Sequence, residues 1–155
     1  MDHENTNWGQ SVTAVVIRDG KVLLARHTYG SGAGKLIIPG GYVNFGESPE
    51  DAVKREYMEE TNIEIVPRSI IGIRFNVKCW YVAFRADYVS GEAISDGNEN
   101  SEVIWMDVNE ALRRDDVSGL TKHLIKSALA PDSGLSFNPD YTTKESLAPY
   151  SLYCI

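Results

Sequence analysis

The chain is poor in the residues that build several familiar kinds of site. It has two cysteines, Cys79 and Cys154, far apart in sequence. They make neither a zinc-ligating set nor a disulfide framework. The three histidines have no evident triad partners, and His27 reads as a structural histidine. Basic residues are outnumbered, with 15 Lys and Arg against 22 Asp and Glu and a formal net charge of -7. That balance argues against a protein that grips a nucleic acid polymer through a basic face. No apolar run approaches the length of a membrane span. The opening residues "MDHENTNWGQ" lack the basic end and apolar stretch of a secretory signal. A cytoplasmic protein without a membrane partner is expected. There is no fixed-period repeat and no low-complexity tract, and the glycine-rich "TYGSGAGK" at 28–35 lacks the Gly-Lys-Ser/Thr ending of a P-loop.

What remains is ordinary globular composition, 43% hydrophobic and 24% charged over 155 residues. One domain over residues 1–130 is expected, followed by an aromatic tail, 131–155, packed on that domain or on a partner in a homodimer. The negative charge does not exclude a phosphorylated ligand, because a bound cation inverts the local sign of a site.

The apolar patterning predicts strands at 12–18 and 21–26 joined by an Asp19-Gly20 turn, a strong hairpin signal. The 28–35 stretch reads as a flexible rim. "LIIPGG" reads as a short strand broken at Pro39, Gly40 and Gly41. A helix is expected over 48–61, with Ser48 as N-cap, Pro49 at the first helical position and Asp51 three residues after the cap. "IEIVPRSIIGIRF" and "VKCWYVAFRADYVSG" read as strands, "GEAISDGNENSE" as an acidic loop and "VIWMDV" as a further strand. Helices are expected at 109–114 and 120–129. Strands on either side of a central helix give an α/β fold, a mixed sheet with helices on both faces.

The helix over 48–61 is costly as a plain helix. Glu56, Glu59 and Glu60 stand at i, i+3 and i+4, on one arc, where like charges repel. A hard divalent cation, Mg2+ or Mn2+, resolves that conflict, since it takes carboxylate oxygens together with water and substrate phosphates. A solvated acidic face partly neutralised by Lys54 and Arg55 is the alternative, and the isolated Glu-x-x-Glu-Glu pattern does not decide between them.

The wider context does. Gly41, five residues, Glu47, seven residues, then Arg55-Glu56-Tyr57-x-Glu59-Glu60-x-Asn62-Ile63 resembles the Nudix box, and the preceding "IIPGG" is similar to the family's usual approach to it. Two positions depart: Asn62 stands for the second Gly, and Tyr57 for a bulky aliphatic residue. Asn is the non-glycine residue best suited to a left-handed helix end. Tyr57 needs a partner for its hydroxyl.

The resemblance implies a Nudix-type α/β/α sandwich and a divalent-metal-dependent hydrolase. Such an enzyme cleaves a diphosphate linked to another moiety, such as ADP-ribose or a nucleotide sugar, by attack of water on phosphorus. It implies that Glu56, Glu59, Glu60 and the backbone carbonyl of Gly41 hold Mg2+ or Mn2+, with Glu47 nearby and Arg55 orienting the acids. Glu59, Glu60, Arg55 and a loop acid carry the catalytic role. The acidic loop offers Glu99 and Glu102, of which Glu102 is expected to serve as ligand or base. Arg26 and Tyr81 are the expected substrate contacts. The same box serves house-cleaning hydrolysis of nucleoside triphosphates and, in domains that lose the acids, nucleotide sensing.

Overall fold

The computed structural model describes residues 9–131, 134–141 and 151–155. Strands β1 (Gly9–Arg18) and β2 (Lys21–His27) form the expected hairpin, with Asp19 and Gly20 both at positive φ, 50° and 74°. Short β3 (Leu36–Ile37) and β4 (Gly40–Tyr42) lead into helix α1 (Pro49–Thr61). Long strands β5 (Glu64–Phe75) and β6 (Cys79–Ser90) pair antiparallel, and β7 (Asn100–Asp107) returns along β2. Helices α2 (Val108–Arg113) and α3 (Gly119–Leu129) follow, then β8 (Leu135–Phe137) and β9 (Tyr153–Cys154).

The strands form one mixed sheet. Its path runs β3-β2-β1-β6-β5-β8-β9, with β4 added to β1 and β7 added to β2. The seam is the parallel pairing of β1 with β6, from Gly9 opposite Cys79 to Val16 opposite Ala86. Because β1 is covered on both faces, its apolar residues run on without alternating. Val12, Ala14 and Val16 pack with Ala52, Val53 and Tyr57 of α1 and with Phe84. Val15 packs with Leu124, Ile125 and Ala128 of α3 and with Ala111 of α2. The helices therefore lie on both faces, as the sequence predicts.

One expectation changes, and the tail takes a definite form. The 28–35 stretch is held rather than loose: Gly30–Gly32 form a 3-10 turn, His27 N donates to Lys35 O at 2.9 Å, and Gly34 N donates to His27 O at 2.8 Å. The tail contributes two strands, and both Ser151 Oγ and Tyr153 OH donate to Glu50 Oε1 in the first turn of α1, Tyr153 at 2.8 Å. Residues 132–133 and 142–150 of the tail lie outside the described residues. No helix among the described residues is long and apolar enough to cross a membrane.

Candidate active site

The site is built around α1. Ser48 caps it, accepting from Asp51 N at 3.1 Å, and the chain leaves it through Asn62 at φ 60°, ψ 24°. Asn62 N donates to Met58 O at 3.0 Å, so the left-handed turn that usually falls to glycine is made by asparagine here. Tyr57 is fully buried and donates its hydroxyl to Ala14 O in β1. That bond fixes the rotation of α1 about its axis. With Ala52, Val53 and Tyr57 turned to the sheet, Glu56 and Glu60 come next along the buried edge, and Glu59 is exposed.

Arg55 organises the acids. Its Nε and Nη2 grip both oxygens of Glu47 at 2.7 and 3.0 Å, while Nη1 reaches Glu56 at 2.8 Å and Glu59 at 3.1 Å. Nη2 also donates to Tyr42 O at 2.9 Å, tying the helix to the turn at β4. The two parallel bonds to Glu47 are the geometry that guanidinium favours, and they hold the Glu47 carboxyl below its ordinary range.

The remaining acids lie in a different environment. Burial pushes Glu60 up to about 8, with Glu56, Glu99 and Asp96 adding repulsion. Glu56 is also raised, because burial outweighs its contact with Arg55. Glu99, from the acidic loop, adds repulsion at both Glu56 and Glu60, and Asp96 adds it at Glu60. Tyr29 joins the same group: burial raises its hydroxyl first, and Glu99, Glu60 and Glu56 raise it further. Its ring lies 4.3 Å from that of His27.

Gly40 and Gly41 close the other side. A Cβ on Gly41 would lie 2.4 Å from Glu56 Cδ, and one on Gly40 would lie 2.2 Å from Val12 O. Only glycine lets this backbone run against the Glu56 carboxylate. Among the described residues, no three His, Cys, Asp or Glu side chains converge as a ligating group; the acids Glu56 and Glu59 turn towards Arg55. The donor set nonetheless fits a hard divalent cation. Glu56 and Glu60 are desolvated carboxylates whose charges repel; Arg55 reaches Glu56, and a proton or a further cation relieves the rest.

Three residues singled out from sequence are engaged elsewhere. β7 starts at Asn100, ahead of the expected "VIWMDV" run, so Glu102 is a strand residue. It pairs with Arg26 Nε at 2.8 Å. Arg26 also reaches Asp116 at 3.2 Å and Gly34 O at 2.9 Å, which makes it a tie between β2, β7 and the segment before α3. Tyr81 packs towards the α3 layer with the Arg74 guanidinium 4.7 Å over its ring. The acidic loop was visible in the sequence, but the strand boundary that puts Glu102 inside β7 was not. Tyr29 carried no signal of its own.

A family model described as NUDIX domain matches residues 8–126. The NAD-capped RNA hydrolase NudC of Pseudomonas syringae pv. syringae is 31% identical over 130 residues, 80% of this chain and 45% of that protein. The ADP-ribose pyrophosphatase of Methanocaldococcus jannaschii is 30% identical over 107 residues, 64% of this chain and 62% of that protein. The crystal structure of a NUDIX hydrolase from Nitrosomonas europaea superposes with a TM-score of 0.70 at 23% identity, covering 77% of this chain and 69% of that one. The chain spans about half the length of the NudC relatives it matches, 45% in the example given.

Proposed function

Because the chain belongs to the Nudix family, we propose that it hydrolyses the diphosphate of a nucleoside diphosphate linked to a second moiety, with Mg2+ or Mn2+ as cofactor. The observation that carries this reading is the buried pair Glu56 and Glu60 beside the Gly41 turn, of which Arg55 reaches Glu56. Glu56, Glu60 and the Gly41 carbonyl would hold the cation, with Glu59 completing the set from the exposed edge. When bound, the cation neutralises diphosphate charge and acidifies water.

The chain's own groups divide the remaining work. Arg55 contacts Glu47, Glu56 and Glu59 at once, so that they are placed before substrate arrives. Glu99, whose charge bears on both Glu56 and Glu60, would accept the proton of the attacking water. The Gly40 backbone partly offsets the upward push on the Glu60 carboxyl. Tyr29 offers a half-exposed ring beside the acids.

The substrate class is supported by the relatives' names. NAD and ADP-ribose both have a diphosphate joining adenosine to another group. A free small molecule is favoured over a polymer by the net charge of -7. The test is a panel at slightly alkaline pH with Mg2+ or Mn2+: ADP-ribose, NADH, nucleotide sugars, dinucleoside polyphosphates, an NAD-capped oligonucleotide, and ordinary and oxidised triphosphates. One diphosphate-linked compound turned over by the wild type and not by Glu60→Gln is the expected result. Turnover of triphosphates alone, or of the capped oligonucleotide alone, overturns the substrate reading.

A further inference from the structure

Asn100 has a place in this site that its bare identity does not suggest. It is 1% exposed, at the first position of β7, opposite His27 of β2. Its Nδ2 donates to the backbone carbonyl of Glu60 at 2.9 Å. Its Oδ1 has no hydrogen-bond partner among the described residues. The neighbouring acidic loop is folded onto the same residue: Asn100 N donates to Asp96 Oδ1 at 3.1 Å, and Ser95 Oγ donates to Asn100 O at 3.0 Å.

The Glu60 carbonyl belongs to the last turn of α1, where helix carbonyls have no partner within the helix. Water would satisfy such a carbonyl at little cost. A buried amide that leaves its own oxygen unpaired is a costly way to do it, on the order of 1–3 kcal/mol for the orphaned group. What the arrangement achieves is registration. Glu99 precedes Asn100 directly, and its carbonyl accepts from Thr28 N at 3.1 Å and from Thr28 Oγ1 at 3.0 Å. Thr28 Oγ1 also donates to Asn98 O at 2.7 Å. Glu99 is thus clamped from behind by Thr28, and its neighbour is bolted to the helix turn that carries Glu60.

We propose that Asn100 is a positioning residue of this site, setting the separation between the Glu99 carboxylate and the α1 carboxylates Glu56 and Glu60, with Thr28 as its counterpart on the loop. This rests on the reading of those acids as the metal- and proton-handling groups. Asn100 touches no substrate. It acts through the backbone of Glu60 and Glu99.

The test compares Asn100→Leu, which keeps the volume and removes the donor, with Thr28→Val on the exposed side of the clamp. Ile125→Ala, a core cavity in the α3 layer away from the site, serves as the destabilised control. Each variant is assayed for kcat and KM, for Mn2+ affinity by calorimetry without substrate, and for Tm. Asn100→Leu is expected to lower kcat and to weaken Mn2+ binding by about 10- to 100-fold, as loss of supporting contacts does elsewhere, with KM nearly unchanged. Thr28→Val changes in the same direction by less. Ile125→Ala loses Tm and keeps both kcat and Mn2+ affinity. Wild-type kcat and Mn2+ affinity in Asn100→Leu overturn the proposal, as do losses that follow the folded fraction as they do in Ile125→Ala. If the wild type turns over no compound in the panel, the substrate reading fails, and Mn2+ affinity alone still decides the role of Asn100.

Discussion

Gly41 shows how closely single residues are constrained here. Its missing side chain is the space taken by the Glu56 carboxylate. Gly41→Ala is expected to displace Glu56 and lower kcat by about 100-fold, since ångström-scale misplacement has that effect, while circular dichroism stays native. Asn62 is constrained by conformation instead, at φ 60°. Asn62→Gly is expected to leave stability nearly unchanged, and Asn62→Val to lower it by about 1–2 kcal/mol, the penalty of a left-handed site for a β-branched residue without asparagine's tolerance of it. Urea unfolding distinguishes the two. Tyr57, the other departure from the usual box, has the partner its hydroxyl needs in Ala14 O. Tyr57→Phe removes that buried hydrogen bond and is expected to cost about 1 kcal/mol in the same assay.

At the scale of elements, α1 was legible because its signals are local: Ser48, Pro49, the acids of its first turn and Asn62 after its last residue all act within a few positions. The Asp19-Gly20 hairpin was legible for the same reason. The start of β7 was not, because "NENSE" has no apolar alternation; Asn100, Ser101 and Glu102 are strand because β2 lies alongside. That hidden boundary is why Glu102 looked like a loop acid. The order of the 28–35 loop was equally hidden, since it depends on partners some 80 residues away. Lys35 Nζ donates to Asp115 O at 3.0 Å, and Arg26 joins Gly34 O to the Asp116 carboxylate.

This clasp has a pH signature. Arg114 first, and then Arg26, hold the Asp116 carboxyl well below its ordinary value of 3.8. A lowered carboxyl stabilises the fold fully above its unfolded value and ceases to do so as pH falls through its folded one. Asp116→Asn is therefore expected to lower Tm at pH 7 and at pH 5 alike. The gap from wild type should narrow only below about pH 4. A gap that widens on acidification contradicts the assignment.

For the whole molecule, the acid cradle links ligand binding to stability. A cation that binds only the folded chain at about 100 times its Kd adds about 2.7 kcal/mol to unfolding. Thermal melts with Mn2+ and with chelator are expected to show that shift in the wild type and to lose it in Glu60→Gln. The β1–β6 seam has a further consequence, for biogenesis. It joins residues 9–16 to residues 79–86, so Gly41, Arg55, Glu56 and Glu60 all lie inside the span of chain it closes. Glu99 and Asn100 come later still. On a ribosome that emits the chain from its N-terminus, the helix acids leave the exit tunnel well before the strand that completes their sheet. The nascent chain therefore has the proposed liganding residues in solvent but no site, and Mn2+ affinity should arise abruptly only in stalled chains that have released β7.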